Sequence, residues 1–257
     1  HIIIMIIILL ILHIGFIYFY SQLASRINLI DMPSERKLHI GKIPLVGGVS
    51  IFTSLTLFYI FFPTPILLKI IFLSSFLVLI ISLLDDIYDV GITERIFFQT
   101  VATLIVVGFG VRIIDIGTYN NATIYLGGFG IVLSCLTIIA FTNAINFSDG
   151  LDGLATGYIL NCILSIIFFS YFFKVNSDLS HLFFLSLLLI IFLFSNHGFL
   201  LPKTFLGDNG SASLGFLLSC FLVYYTLPDN RHFHPVLTLW ATPFPILDFM
   251  TVFIREC

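Results

Sequence analysis

The 257-residue chain is 59% hydrophobic and only 10% charged, whereas a soluble domain carries about 25% charged residues. That balance excludes a soluble globular domain and points to an all-α, polytopic membrane helix bundle, read as one transmembrane domain over residues 1–257. The net charge of −3 singles out no partner, and no nucleic-acid partner is expected.

A bilayer-crossing helix needs about 20 mostly apolar residues, and nine segments approach that pattern: 2–24, 45–62, 66–84, 96–112, 129–146, 154–173, 180–196, 211–227 and 236–254. The first lacks a basic leader and a small-residue cleavage site, so it reads as a span and not as a signal peptide. The ninth contains Pro243, Pro245 and Asp248 and is expected to be bent or broken. Four cysteines (Cys135, Cys162, Cys220, Cys257) show no CxxC spacing and read as small apolar residues.

Sorting the charges by loop gives the orientation. Loops after spans one, three, five and seven, with the C-terminal end, hold Arg26, Arg36, Lys37, Lys42, Arg95, Lys203 and Arg255; the opposite loops hold Lys69, Arg112, Lys174 and Arg231. The excess places the first set in the cytoplasm. The acids divide more sharply. Asp31, Glu35, Asp85, Asp86, Asp89, Glu94, Asp149, Asp152, Asp208 and Glu256 fall on the cytoplasmic side, against Asp115, Asp178 and Asp229 on the other.

Four of these loops carry matching chemistry. The first runs from Asp31 to Gly48; its basic residues, X-Pro steps and Gly47-Gly48 could hold phosphate oxygens. The second is Asp85-Asp86-Ile87-Tyr88-Asp89 with Arg95 beyond. Adjacent carboxylates at a membrane edge are costly unless a cation or hydrogen bonds compensate them. The third, Asn143 to Ala155, packs Asn143, Asn146, Asp149 and Asp152 among glycines, oxygen donors that suit a hard cation such as Mg²⁺. The fourth, Phe205 to Ser211, sets Asp208 where a helix begins, so that helix amides face an anion while the carboxylate holds a metal. Taken singly, each loop also has an ordinary reading: a positive-inside loop, a solvated helix end, a polar hairpin, a turn with a cap.

Together, Asp85-Asp86-x-x-Asp89, Asn143-x-x-Asn146-x-x-Asp149-Gly-x-Asp152-Gly-Leu-Ala, Phe205-x-Gly-Asp208-x-Gly-Ser and the first-loop Arg36-Lys37-x-His39 pattern resemble the polyprenyl-phosphate N-acetylhexosamine-1-phosphate transferases. The resemblance runs from about Asp31 onward and is nearest to the branch acting on undecaprenyl phosphate and N-acetylglucosamine. It implies a Mg²⁺-dependent (or Mn²⁺-dependent) enzyme of the bacterial inner membrane, working at the cytoplasmic face. Such an enzyme moves a sugar-1-phosphate from a UDP-sugar to undecaprenyl phosphate, releases UMP, and starts an O-antigen or other envelope glycan. The implied sugar is N-acetylglucosamine, with a 6-deoxy-N-acetylhexosamine next, and a homodimer is compatible with the family.

Residue by residue, the resemblance implies Asp208 as a direct metal ligand with Asn146 near the same ion. Asp85, Asp86, Asp149 and Arg95 form the implied catalytic set, with Arg95 on the diphosphate. Asn143, Asp152, Phe205, Lys37 and Lys42 are implied substrate contacts, Phe205 offering a ring face to uracil. Members of the family carry a His-x-His motif in a loop before their last span, and this chain ends at Cys257 where that loop is expected to begin. Arg231-His232-Phe233-His234 is expected on the outer end, away from the acids. A prenyltransferase remains open on the Asp-Asp-x-x-Asp pattern alone, and a transporter on Asp248. Direct attack and a covalent aspartyl route are both compatible with these residues.

Overall fold

The computed structural model describes residues 2–32, 41–175, 177–243, 247 and 251. Eight long helices carry the described chain: α1 (Ile2–Ala24), α2 (Gly47–Phe61), α3 (Ile66–Tyr88), α4 (Ile92–Gly108), α5 (Phe129–Phe147), α6 (Leu154–Phe172), α7 (Ser180–Asn196) and α8 (Gly207–Tyr224). Most of them form where the sequence is rich in Leu, Ile and Phe, α8 being polar and small in its first half. In such a setting a helix satisfies every backbone group internally, whichever neighbour or lipid surrounds it. The α1 face is the clearest case, with Ile3 74% and Ile11 62% exposed.

α8 is the axis of the bundle. It packs on α3, α5, α2 and α6, and every one of its residues is buried except Asp208. Its first half is Gly-Asp-Asn-Gly-Ser-Ala-Ser-Leu-Gly, and residues this small let neighbouring backbones approach closely. A Cβ on Gly215 would lie 3.1 Å from Ile145 Cβ and from the Thr142 carbonyl of α5.

The four polar loops meet at one end. A short ladder joins β1 (Ile30–Asp31) to β2 (Ile43–Pro44), and from there the chain is stitched to the start of α8. The Phe205 N–H donates to the Pro44 carbonyl at 2.8 Å, Gly47 N–H to Phe205 at 3.0 Å, and Gly48 N–H to Leu206 at 3.2 Å.

At the other end, an expected all-α chain has a hairpin. β3 (Asp115–Tyr119) pairs with β4 (Ala122–Tyr125). Asn120 and Asn121 between them sit at φ 47° and 64°, the left-handed pair that a two-residue hairpin turn demands and Asn tolerates. Arg231 reaches the same end, its Nη2 2.6 Å from Asp115 Oδ2, so the Arg-His-Phe-His segment lies opposite the acidic loops.

The span count is coarser than nine. α1, α3, α5 and α6 are long and apolar enough to cross a membrane, while α2 and α7 are apolar but shorter. After α8, two 3-10 turns (Pro228–Asn230 and Pro235–Leu237) lead into α9 (Thr238–Ala241). Of the expected ninth span the structure describes α9 and single helical positions at Pro243, Leu247 and Thr251, so a ninth crossing helix is not established. Pro245, Asp248, Arg255 and Cys257 lie outside the described residues, as do Arg36, Lys37 and His39. Cys162 and Cys220 are buried, Cys135 partly so, and all three are unpaired thiols.

Candidate active site

The site is assembled on the first turn of α8. Four backbone N–H groups at a helix start have no partner within the helix, and here a carboxylate from α3 supplies one. Asp86 Oδ1 accepts from the Asp208 N–H at 3.0 Å, and Oδ2 accepts from the Asn209 N–H at 2.9 Å. Those amides therefore face a protein carboxylate and not an external anion, which alters the sequence expectation for them. The helix also starts at Gly207, four residues before the apolar run suggested.

With its first turn fixed, α8 projects Asp208 toward α3, α4 and α5. Asn146, in the last turn of α5, donates through Nδ2 to Asp208 Oδ1 at 3.1 Å and to Ser211 Oγ at 2.8 Å. Arg95, in the first turn of α4, places Nη1 2.7 Å from Asp85 Oδ2 and 3.2 Å from Asp208 Oδ2. Asp85 is nearly covered, with 7% of its side chain accessible, against 40% for Asp208. Asp208 is thus the open carboxylate and Asp85 the enclosed one.

Asp149 stands in the loop between α5 and α6. Burial, and then the charges of Asp208, Asp86 and Asp152, push its carboxyl up to about 7. Among the described residues no three His, Cys, Asp or Glu side chains form a ready-made metal cage. The carboxylates nevertheless fit a hard cation: Asp208 and Asp85 offer oxygens, while Asn146 turns its amide Nδ2 to Asp208. Mg²⁺ is ordinarily held by one or two carboxylates, substrate phosphate and water.

The sequence profile described as glycosyl transferase family 4 matches residues 68–226, from the start of α3 to just past α8. The chain belongs to glycosyl transferase family 4. Across 248 residues it is 29% identical to the undecaprenyl-phosphate alpha-N-acetylglucosaminyl 1-phosphate transferase of Escherichia coli (strain K12), covering 94% of this chain and 67% of that protein. The Yersinia pestis enzyme of the same name is 29% identical over 253 residues, 94% of this chain and 68% of its own. A probable undecaprenyl-phosphate N-acetylglucosaminyl 1-phosphate transferase of Bacillus subtilis (strain 168) is 28% identical over 244 residues, 92% and 66%. The chain spans about two thirds of the length of these relatives.

Beyond the Asp208 cluster, this family 4 chain distributes its remaining candidates unevenly. Asp152 pairs with Lys203 at 2.8 Å, and the same ammonium lies 5.5 Å from the centre of the Phe205 ring. Those three form a second, more open patch that links the loop before α6 to the loop before α8. Asn143 is turned elsewhere: its Nδ2 donates to Gln99 Oε1 at 2.9 Å and to its own helix at Ile139, so it braces α5 against α4. Lys42 is exposed, and Lys37 lies outside the described residues.

Sequence reasoning missed Asn209, Gln99, Ser211 and the pairing role of Lys203. Ser211 closed the Phe205-x-Gly-Asp208-x-Gly-Ser pattern and Lys203 stood two residues before Phe205, whereas Gln99 left no trace. At the hairpin end His232 Nδ1 lies 2.8 Å from Ser170 Oγ, and the His234 ring packs edge-on against Tyr119, both remote from the acidic loops.

Proposed function

We propose that the protein transfers N-acetylglucosamine-1-phosphate from UDP-N-acetylglucosamine to undecaprenyl phosphate, releasing UMP. The reaction would begin a lipid-linked envelope glycan, such as O-antigen, at the cytoplasmic face of the inner membrane. The observation that carries this reading is the meeting of Asp85, Arg95, Asn146 and Asp208, drawn from four helices, at the end where basic loop residues are in excess. The resemblance to transferases named for this reaction supports the substrates.

Two anions must be joined, one soluble and one lipid-bound, so charge and alignment are the physical obstacles. Asp208 and Asn146 are the residues that would hold Mg²⁺, with Asp85 adjoining. Bound there, the ion supplies neutralisation of the diphosphate and a better UMP leaving group. Arg95, already between Asp85 and Asp208, is placed to take up diphosphate oxygens. Asp85 faces the incoming lipid phosphate and orients it or accepts its proton. A lipid phosphate oxygen then attacks the phosphorus bearing the sugar. The bond to the bridging oxygen breaks, and that oxygen leaves with UMP. Asp152, Lys203 and Phe205 form the nucleotide side, the Phe205 ring under uracil.

The test mixes radiolabelled UDP-sugars, undecaprenyl phosphate and membranes containing the full-length protein. Labelled lipid from UDP-N-acetylglucosamine, lost on chelation and restored by Mg²⁺, is the expected result. Labelled lipid only from another UDP-sugar would replace the substrate, and none from any would overturn the reading. Labelling of cysteines placed at 89 and 231 should find the first cytoplasmic and the second external; the reverse would undo the topology.

A further inference from the structure

Asn209 is wholly buried and sits beside Asp208 without taking part in the cluster around it. Its Oδ1 accepts from the Val49 N–H at 3.1 Å. Its Nδ2 donates to the Leu45 carbonyl at 2.9 Å and to Asp86 Oδ2 at 2.6 Å. Both amide hydrogens are thereby committed, one to the exit of the first polar loop and one to α3. Asp86 is committed in turn to the α8 backbone at 208 and 209.

The packing leaves no slack around this junction. A Cβ on Gly48 would collide with Asn209 Oδ1 and with the Gly210 backbone, and one on Gly210 would lie 2.9 Å from Gly48 N. α2 and α8 thus touch backbone to backbone, with the Asn209 amide lodged between them.

We propose that Asn209 and Asp86 are a pair of positioning residues: they aim the Asp208 carboxylate and hold the first loop to α8. The two neighbouring aspartates of α3 therefore do different work. Asp85 faces Arg95 and the open carboxylate, while Asp86 faces the helix start. Asparagine suits position 209 because only an amide both donates to Asp86 and Leu45 and accepts from Val49. Aspartate there would set two carboxylates against each other and lose both donors.

Because this inference leans on the transferase reading for its kinetics, it is tested by two independent measurements on the full-length protein in detergent. The first, hydrogen exchange, needs no substrate. In Asn209→Asp and Asp86→Asn, amides in the 205–212 segment should exchange faster while those in 214–224 keep their wild-type rate. Unchanged exchange at 205–212, or loss of protection throughout α8, overturns the positioning role. The second is kinetics. A small misplacement of the reacting groups can cost about 100-fold, and kcat should fall on that order in both variants with KM for the nucleotide sugar little changed.

Should Asp86→Asn not fold, exchange and kinetics in Asn209→Asp decide alone: local loosening with reduced kcat sustains the pair, and wild-type values for either overturn it. Absence of transfer by the wild-type protein would defeat the functional reading while leaving the exchange result standing.

Discussion

The two ends of the bundle are both polar and are built on opposite electrical plans. At the hairpin end one buried carboxylate is matched by one guanidinium. Asp115 is 3% exposed, meets Arg231 at 2.6 Å and also accepts from the Gly117 N–H at 2.9 Å. The neighbouring histidines are met by Ser170 and Tyr225. At the acidic end Asp85, Asp86, Asp149 and Asp208 crowd together, and among the described residues Arg95 bridges two of them, Asp85 and Asp208. A balanced end holds a hairpin and helices in place. An end with surplus carboxylate is costly to fold and is suited to gripping a cation, through which phosphoryl oxygens can be held.

Breaking the acidic end should silence the protein while sparing its fold. Asp208→Asn in the full-length protein should lower transfer by about 1000-fold or more, in line with the loss of a preorganised electrostatic group, with the melting temperature held near wild type. Near-normal activity would remove Asp208 from the centre of the reaction. Asp85→Asn should follow at about 100-fold, the size of a lost proton-transfer or orienting group, read as kcat in the same lipid-transfer assay.

Breaking the hairpin end should do the reverse. Arg231→Ala strands Asp115, and a lost hydrogen bond to a charged group costs about 2 kcal/mol. Thermal unfolding in detergent should show the drop while kcat per folded molecule stays unchanged. A catalytic defect without destabilisation would erase the contrast between the ends.

A smaller effect sharpens the comparison through pH. Asp149 titrates at about 7 in the folded chain, raised by burial and neighbouring acids, while an unfolded Asp titrates near ~3.9. The folded state therefore binds that proton more tightly. Its stabilising contribution is present at low pH and is lost as pH climbs through about 7. Melting temperature measured with chelator should decline from pH 5 to 8, and Asp149→Asn should flatten that decline. An equal slope in the variant would show that other groups set it. Least of all, Lys203→Ala breaks a solvent-facing pair worth at most about 1 kcal/mol, so KM for the nucleotide sugar should rise by no more than about fivefold.

Much of this was legible before any coordinates. Helix positions followed from apolar runs, because a membrane-type helix is announced by composition alone. The grouping of four loops at one end followed from counting spans. What composition could not reveal were contacts set by packing. Asn209 looks like any polar residue at a turn until Asp86, 123 positions earlier, is seen against it. Asn143 shares a motif with Asn146, yet a single turn of α5 sends one toward Gln99 and the other toward Asp208. The start of α8 was placed late because Gly207-Asp208-Asn209 is polar, and its helicity depends on a carboxylate from another helix. The Asn120-Asn121 turn did carry a hairpin signal, which the apolar bookkeeping passed over.

The burial of α8 has a practical corollary. Changes along that helix strain the bundle's interior, whereas its single uncovered side chain can be swapped with little steric consequence. A neutral variant at 208 would give material for freezing both substrates in place, intact and unreacted, for visualisation.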